Sequence, residues 1–322
     1  NLVGDIGATN ARFALVSPGS SEMENIQNLK CSDFEDIQSA ILSYISNHSE
    51  AQVQSACFAT AGTVHLDVFK LANNHWVISK KDVRDALKGI EVQWINDFTA
   101  QAFATTTLGD DEVIVINQGV VEPEKLRLVI GPGTGLGVCG LIMSPSGWLP
   151  IAGEGGHSDF APNTALEFEI LTILTKKFGH VAVERILSGP GIMNLYEALC
   201  QINSKEMIYN SPSEITASAV NQGSDPIADE TVQMFCKIFG SVAGSMALTV
   251  GALGGVYITS DLVKNFLDLF VASEFQKCFE NKGRLQPVLK DIPVYLSKKK
   301  NMGLIGTVYQ INNQWIQKGF KI

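Results

Sequence analysis

Residues 1–16 read N-L-V-G-D-I-G-A-T-N-A-R-F-A-L-V. Two apolar runs, Leu2–Gly4 and Arg12–Val16, flank the core G-D-I-G-A-T, a pattern that predicts strand, glycine turn, strand. Glycines lack a Cβ, so an oxyanion can approach their peptide N–H groups closely. Thr9 adds a hydroxyl donor. Asp5 adds a carboxylate, which beside a polyphosphate makes sense only with a cation between them. Mg²⁺ held largely through water suits that position, with no direct protein ligation. An ordinary tight hairpin has the same local pattern. A second stretch shifts the balance: Leu126–Ile130, then Gly131-Pro132-Gly133-Thr134-Gly135-Leu136-Gly137, then Val138–Met143. Strand, glycine–threonine turn and strand recur, an internal repeat of one supersecondary unit. Two such loops can grip a polyphosphate from both sides.

The remaining pattern alternates strands and helices. Ser32 with Glu35 predicts a capping box opening a helix with Phe34, Ile37, Ile41 and Ile45 on one face. Val53–Thr60 and Val64–Leu71 read as strands. Ser79 opens a helix that Gly89 stops, and Val92–Ile95 is a strand running directly into Asn96-Asp97 and a helix to about Leu108. Thr164 caps a helix ended by Gly179. Ser211-Pro212 and Asp225-Pro226 open two more, the second ending near Val250. Val256–Ile258 and Ile292–Leu296 are strands, and Gly303 to Trp315 a final helix. The expectation is a duplicated α/β fold with a cleft between halves.

The chain has 322 residues, 45% apolar and 18% charged, with a formal net charge of −9. That balance argues against nucleic-acid and anionic-membrane partners and for a small ligand. Six cysteines without a C-x-x-C pair suggest reduced thiols, and the N-terminus does not read as a signal peptide, so a cytoplasmic protein is expected. Ile238–Ser260 carries no charge and includes Gly240-x-x-x-Gly244, the length and motif of a membrane helix. Its five glycines would expose backbone to lipid, so a buried helix followed by a glycine turn and a strand is the expectation.

A second constellation is acidic. Asn96-Asp97 stands at the C-terminal end of a strand, where open α/β sheets bind ligands; its competing role is a helix cap. Gly153-Glu154-Gly155-Gly156-His157 sets an acid and a histidine among glycines, and Glu184 precedes Ser188-Gly189-Pro190-Gly191. A turn acid and a satisfied loop histidine are the alternatives. No Walker A loop, H-E-x-x-H or G-x-S-x-G occurs. Gly135-x-Gly137-x-x-Gly140 runs into a strand rather than a helix, so it is not a dinucleotide fingerprint. His75 and Trp76 could border a polar site, but the sequence assigns them no role.

Taken together, V-G-D-I-G-A-T-N-A-R, I-N-D-F, G-P-G-T-G-L-G, G-E-G-G-H-S-D-F-A-P, E-R-I-L-S-G-P-G and N-M-G-L-I-G, from residue 3 to about 306, resemble the bacterial ATP-dependent glucokinases. The resemblance implies the two-domain hexokinase/actin-like ATPase fold with ribonuclease H-like repeats. It places a small α/β domain at 1–107 plus 299–322 and a large one at 108–298, around a sugar cleft. It implies a cytoplasmic homodimer that uses ATP and Mg²⁺ to phosphorylate the 6-hydroxyl of glucose, the first step of glycolysis. By position, Asp97 matches the catalytic base. Asn96, Glu154, His157 and Glu184, with Asp97, match the sugar-holding residues. Gly4, Asp5, Ile6, Gly7, Ala8 and Thr9 match the first ATP loop, and Gly131, Gly133, Thr134 and Gly135 the second. Ala8 stands where the family has a second glycine; if that position needs φ > 0, alanine costs about 1 kcal/mol. Thr259-Ser260-Asp261 departs near the family's adenine pocket, and Thr63 and Ala72 depart on the sugar side. A non-catalytic sugar sensor and an actin-like ATPase that drives partner binding are the other classes the sequence admits.

Overall fold

A computed structural model describes residues 1–71, 74–145, 147–221, 223 and 225–313. Of the sequence readings, Ala72, Asn73 and the end of the last helix at Trp315 lie outside the described residues. The chain forms two compact units: unit 1 takes residues 1–109, 143–152 and Lys299 onward, and unit 2 takes 110–142 and 153–298. The expected boundaries assigned 143–152 to the second domain. This segment belongs to unit 1, where Trp148 N–H donates to the Tyr309 hydroxyl at 3.1 Å.

Unit 1 begins with β1 (Leu2–Ile6), β2 (Asn10–Val16) and β3 (Met23–Lys30). β1 extends two residues beyond the sequence reading, so Asp5 is a strand residue, paired with Arg12 on β2. β3 was not anticipated: M-E-N-I-Q-N-L-K is a largely exposed strand with a weak apolar pattern. The first helix, α1 (Ile37–Ser46), starts later than the Ser32–Glu35 box predicts. Asp36 caps it, accepting from Ser39 N–H at 2.7 Å while Ser39 Oγ accepts from Asp36 N–H. Two mutually satisfied donors outcompete the upstream serine, and residues 31–33 form only a 3-10 turn. Then come β4 (Ser55–Thr60), the short pair β5 (Val68–Lys70) and β6 (Val77–Ser79), α2 (Lys80–Ala86, capped by Ser79), β7 (Glu91–Asn96) and α3 (Asp97–Ala104). The main sheet runs β3-β2-β1-β4-β7, with β1, β4 and β7 parallel. β1 and β4 are nearly continuous buried runs, as central strands covered on both faces must be.

Unit 2 contains β8 (Val113–Asn117), β9 (Arg127–Pro132) and β10 (Leu136–Ser144), whose end passes into unit 1 with β11 (Gly147–Gly153). Helices α4 (Ala165–Phe178), α5 (Gly189–Ile202), α6 (Pro212–Val220) and α7 (Pro226–Val250) follow. Thr164, Ser211 and Asp225 cap α4, α6 and α7 as their sequences predict. β12 (Val256–Ile258), α8 (Asp261–Lys264), α9 (Leu267–Ala272), α10 (Phe275–Glu280), α11 (Gln286–Asp291) and β13 (Val294–Ser297) complete the unit. Its own strands run β10-β9-β12-β13-β8. The chain then returns to unit 1 as α12 (Met302–Asn312), which packs on β1, β4 and α3. An alanine Cβ at Gly306 would stand 1.7 Å from the Ala100 carbonyl oxygen, so α12 approaches α3 more closely than any side chain permits.

The repeat read from the sequence is a repeat of topology. β1–β2 and β9–β10 are antiparallel hairpins, and β1 and β9 each start a run of three parallel strands.

α7 is, among the described residues, the one helix long and apolar enough to cross a membrane by length and composition. It is a core helix of unit 2. Ile238, Phe239, Ala243 and Ala247 are buried, and Gly240 and Gly244 admit the backbone of α10: their ideal Cβ atoms would stand 2.1 and 2.3 Å from the carbonyl oxygens of Phe275 and Phe279. A Gly240→Ala substitution should therefore cost about 1–3 kcal/mol through overpacking, read as a lowered thermal midpoint. A helix facing lipid on that side would tolerate the change.

Candidate active site

In unit 1 the parallel strands bring two predicted clusters to one edge. Ile6, Thr60 and Asn96 are register partners across β1, β4 and β7. With strands about 4.8 Å apart, the turn after β1 and the Asn96-Asp97 step after β7 leave the sheet at the same level, about 10 Å apart. This is the carboxyl edge at which open parallel sheets bind ligands.

The two residues at the β7 end have divided roles. Asn96, not Asp97, is the N-cap of α3: its Oδ1 accepts from Phe98 N–H at 2.9 Å and Thr99 N–H at 3.2 Å. Its amide nitrogen meets no acceptor among the described residues and is available as a donor. Asp97 is the first helical residue, half-buried, and its Oδ1 also accepts from Phe98 N–H at 2.9 Å. The cap and the site are thus adjacent residues, and one need not exclude the other.

At the β1 end, Asp5 is half-buried in the sheet. Desolvation raises its carboxyl pKa above the ordinary range, and Arg12, at 3.4 Å, opposes that shift. Gly303, at the start of α12, has to be glycine here because a Cβ would stand 2.4 Å from the Asp5 carboxyl carbon. Gly4, by contrast, points at the core: the Phe58 and Phe13 rings fill the place of a side chain, 2.7 and 3.0 Å from an ideal Cβ. Ile6 is core as well. Of the first loop, then, residues 7–9 form the turn, exposed at Thr9, and Asp5 is the carboxylate on the strand before it. Ala8 is not among the residues with positive φ, so the strain anticipated for an alanine in this loop does not arise.

Unit 2 builds its cluster around one residue, Leu136. Its N–H donates to Glu184 Oε2 at 2.8 Å. Its carbonyl lies against Gly156, whose ideal Cβ would stand 2.3 Å from that oxygen. Gly135 is equally constrained by Glu184, whose Oε2 would stand 2.3 Å from its Cβ. The segment carrying Glu154 and His157 is stitched to the one carrying Glu184: Phe160 N–H donates to Val181 O at 3.0 Å and Val183 N–H to Ser158 O at 2.9 Å. The second glycine loop, Glu154, His157 and Glu184 therefore form one cluster, with the Glu154 and His157 side chains exposed. Glu184 sits in a 3-10 turn just before α5, which Ser188 caps. The S-G-P-G that reads as a glycine-rich loop is the first turn of that helix.

Gly131 is closely packed. The Thr259 carbonyl oxygen would stand 1.9 Å from its Cβ, and Ser260 Oγ donates to Pro132 O at 2.5 Å while capping α8. The Thr259-Ser260-Asp261 departure thus supports the end of β9. No group of three or more His, Cys, Asp or Glu side chains among the described residues could hold a metal. Sequence reasoning missed Arg12 and Gly303, whose contacts with Asp5 span strands and termini that no local motif reveals.

The fold is that of the two-domain sugar kinases: a solved glucokinase from an Antarctic psychrotroph superposes with TM-score 0.87 at 32% identity, over 97% of this chain and 98% of its own. A glucokinase of Balamuthia mandrillaris in complex with glucose shares the fold at 19% identity, with TM-score 0.79 over 96% of this chain and 92% of its own. A family profile described as Glucokinase matches residues 2–314. The glucokinase of Hahella chejuensis is 46% identical over 97% of both chains, and that of Neisseria gonorrhoeae 39% identical over 97% of this chain and 94% of its own. The chain belongs to the glucokinase family.

The raised pKa of Asp5 carries a stability signature. A carboxyl whose folded-state pKa exceeds its unfolded value favours the fold at low pH and loses that contribution as pH rises through the folded value. Asp5→Asn should therefore leave the thermal midpoint at pH 7 equal to or above wild type, with any difference shrinking as pH falls toward about 4. A midpoint well below wild type at pH 7 would mean that the Arg12 pairing outweighs desolvation.

Proposed function

We propose that this chain is an ATP-dependent glucokinase that transfers the γ-phosphoryl group of ATP to the 6-hydroxyl of glucose, giving glucose 6-phosphate and ADP. The single observation that carries the reading beyond family membership is the pairing of a glycine turn with an acid cluster in each unit. Asp97 and Asn96 share the carboxyl edge of the unit 1 sheet with the Gly7–Thr9 turn, and Glu184 is hydrogen-bonded at the end of the Gly133–Gly135 turn. Phosphate turns alone would suit an actin-like ATPase; the Glu154, His157 and Glu184 cluster gives that class no use for its acids.

In this reading Asp97 accepts the proton of the attacking hydroxyl. Its fixed Oδ1 defines the carboxylate plane, so the base is oriented before substrate arrives. Asn96 donates from its amide nitrogen while its oxygen caps the helix. Glu154, His157 and Glu184 read ring hydroxyls, and a sugar with one hydroxyl missing leaves a charged acceptor unpaired, which costs about 1–3 kcal/mol or more. Thr9, Thr134 and the loop N–H groups hold and stabilise the phosphates, since phosphoryl transfer rests on placement and electrostatic stabilisation. Asp5 fits the donor side of a Mg²⁺ held through water and phosphate oxygens, since one desolvated carboxylate is the acid present there. When bound, the ion would supply charge neutralisation at the β- and γ-phosphates. A cytoplasmic location and a homodimer accord with the reading.

A coupled ADP-release assay with glucose, mannose, fructose and N-acetylglucosamine tests it. Glucose should turn over fastest. Asp97→Asn should lower kcat about 10²–10⁴-fold, roughly 3–5 kcal/mol, with little change in the KM for either substrate. ADP release without sugar would indicate the ATPase class, and glucose binding without turnover a sensor.

A further inference from the structure

In each glycine turn the first residue closes the hairpin through its N–H, to the third residue on in unit 1 and to the second in unit 2, and is anchored from outside through its carbonyl, which in unit 1 is done by side chains outside the motif. In unit 2, Gly133 N–H donates to Gly135 O at 2.7 Å inside the turn, while Gly133 O accepts from outside it, from Gly189 N–H at the start of α5, at 2.8 Å. Gly7 occupies the equivalent position, first after its strand. Its N–H donates to Asn10 O at 2.9 Å within the hairpin. Its carbonyl likewise accepts from outside, but from side chains: Asn74 Nδ2 at 3.3 Å, with Cys31 Sγ at 3.7 Å. In both turns the next two peptide N–H groups, of Ala8 and Thr9 and of Thr134 and Gly135, meet no acceptor among the described residues. A peptide is planar and trans, so fixing the Gly7 oxygen fixes the opposite direction of the Ala8 N–H.

Asn74 is itself held in place. Its Oδ1 accepts from Trp76 N–H at 2.9 Å, which directs the amide nitrogen at Gly7, and buried Trp76 donates through Nε1 to Phe34 O at 3.2 Å. His75 Nε2 contacts the same Phe34 carbonyl at 2.9 Å. Ala8, Thr9, Cys31, Ser32, Lys70, Asn74 and His75 line one cavity of about 620 Å³ in unit 1. The Asn74–Trp76 segment therefore lies at the turn rather than at a distant surface.

Resting on the nucleotide-binding reading above, we propose that Asn74 is a positioning residue of the first phosphate turn, with Cys31 as a secondary donor. Its amide does in unit 1 what the α5 N-terminus does in unit 2. It holds the Gly7–Ala8 peptide so that the Ala8 and Thr9 N–H groups are presented to a nucleotide phosphate.

The test is Asn74→Asp, which keeps the acceptor for Trp76 N–H but replaces the donor to Gly7 O with a carboxylate oxygen. Mg·ATP affinity is measured by titration calorimetry without sugar, and KM for ATP and for glucose by ADP release, from pH 5 to 8. The expected result at pH 8 is an ATP Kd and KM raised about tenfold, the scale of one lost hydrogen bond. The KM for glucose should stay within twofold and the thermal midpoint within a degree or two. The defect should shrink toward pH 5, where a protonated carboxyl can again donate. Cys31→Ser, which keeps a donor, should bind Mg·ATP within about threefold of wild type, and Cys31→Ala more weakly than the serine variant. An Asn74→Asp protein that binds Mg·ATP as wild type does at every pH overturns the proposal and leaves the function intact. A wild-type protein that binds no nucleotide overturns both.

Discussion

A turn that offers bare peptide N–H groups to an anion has to be fixed through other groups of its backbone, and that constraint recurs in both units. Gly7 and Gly133 each close their own hairpin through N–H and are anchored from outside through C=O. Immediately after the second turn, Leu136 is fixed on both sides, by the Glu184 carboxylate at its N–H and by Gly156 at its carbonyl. Unpaired donors in a mobile loop would find water or one another. In an anchored one they keep their direction, which is what electrostatic stabilisation of a transferring phosphoryl group needs.

The same constraint explains why glycines are where they are. Only some serve ligand approach. Gly133 has open space where a Cβ would be, so an anion can come close. Gly135 and Gly156 instead let Glu184 and Leu136 pack to distances that no Cβ allows, Gly303 does the same for Asp5, and Gly155 leaves Val138 room that a Cβ would crowd. None of these five has positive φ. The motif is therefore a statement about close approach rather than about unusual backbone angles, which is why alanine is accommodated at position 8.

Much of this was legible in the sequence, and the reasons are physical. The hairpin repeat, the caps at Ser79, Thr164, Ser211 and Asp225, and the buried reading of α7 depend on interactions within a few residues or on a long uniform pattern. The sequence misplaces the start of α1 because two capping boxes, Ser32–Glu35 and Asp36–Ser39, adjoin, and only geometry shows that Asp36 and Ser39 satisfy each other. α5 was hidden behind S-G-P-G, where proline and glycine signal a loop although both are tolerated in a first helical turn. β3 was hidden because a weakly buried strand carries little apolar alternation.

The site shows the same division. Asp97 stands out in sequence as an acid at the carboxyl end of a strand, and Glu154, His157 and Glu184 as acids and a histidine in turns, where a core role is implausible. What the sequence does not reveal is the dependence of those residues on partners far along the chain. Asp5 and Gly303 are 298 positions apart, Gly7 and Asn74 are 67, and Leu136 and Glu184 are 48. Each pair couples a local motif to an element that arrives only when the fold closes. In unit 2 this coupling joins the two halves of the proposed chemistry through a single peptide. A sugar hydroxyl bound at Glu184 would draw on the carboxylate that also accepts from Leu136 N–H, so acceptor binding would act on the end of the phosphate turn. A ligand can shift a neighbouring site only through contacts that differ between its bound and free states. Under the proposed function, a shared carboxylate would be such a contact, through which the arrival of the acceptor would bear on the donor's phosphates with no large motion within the unit.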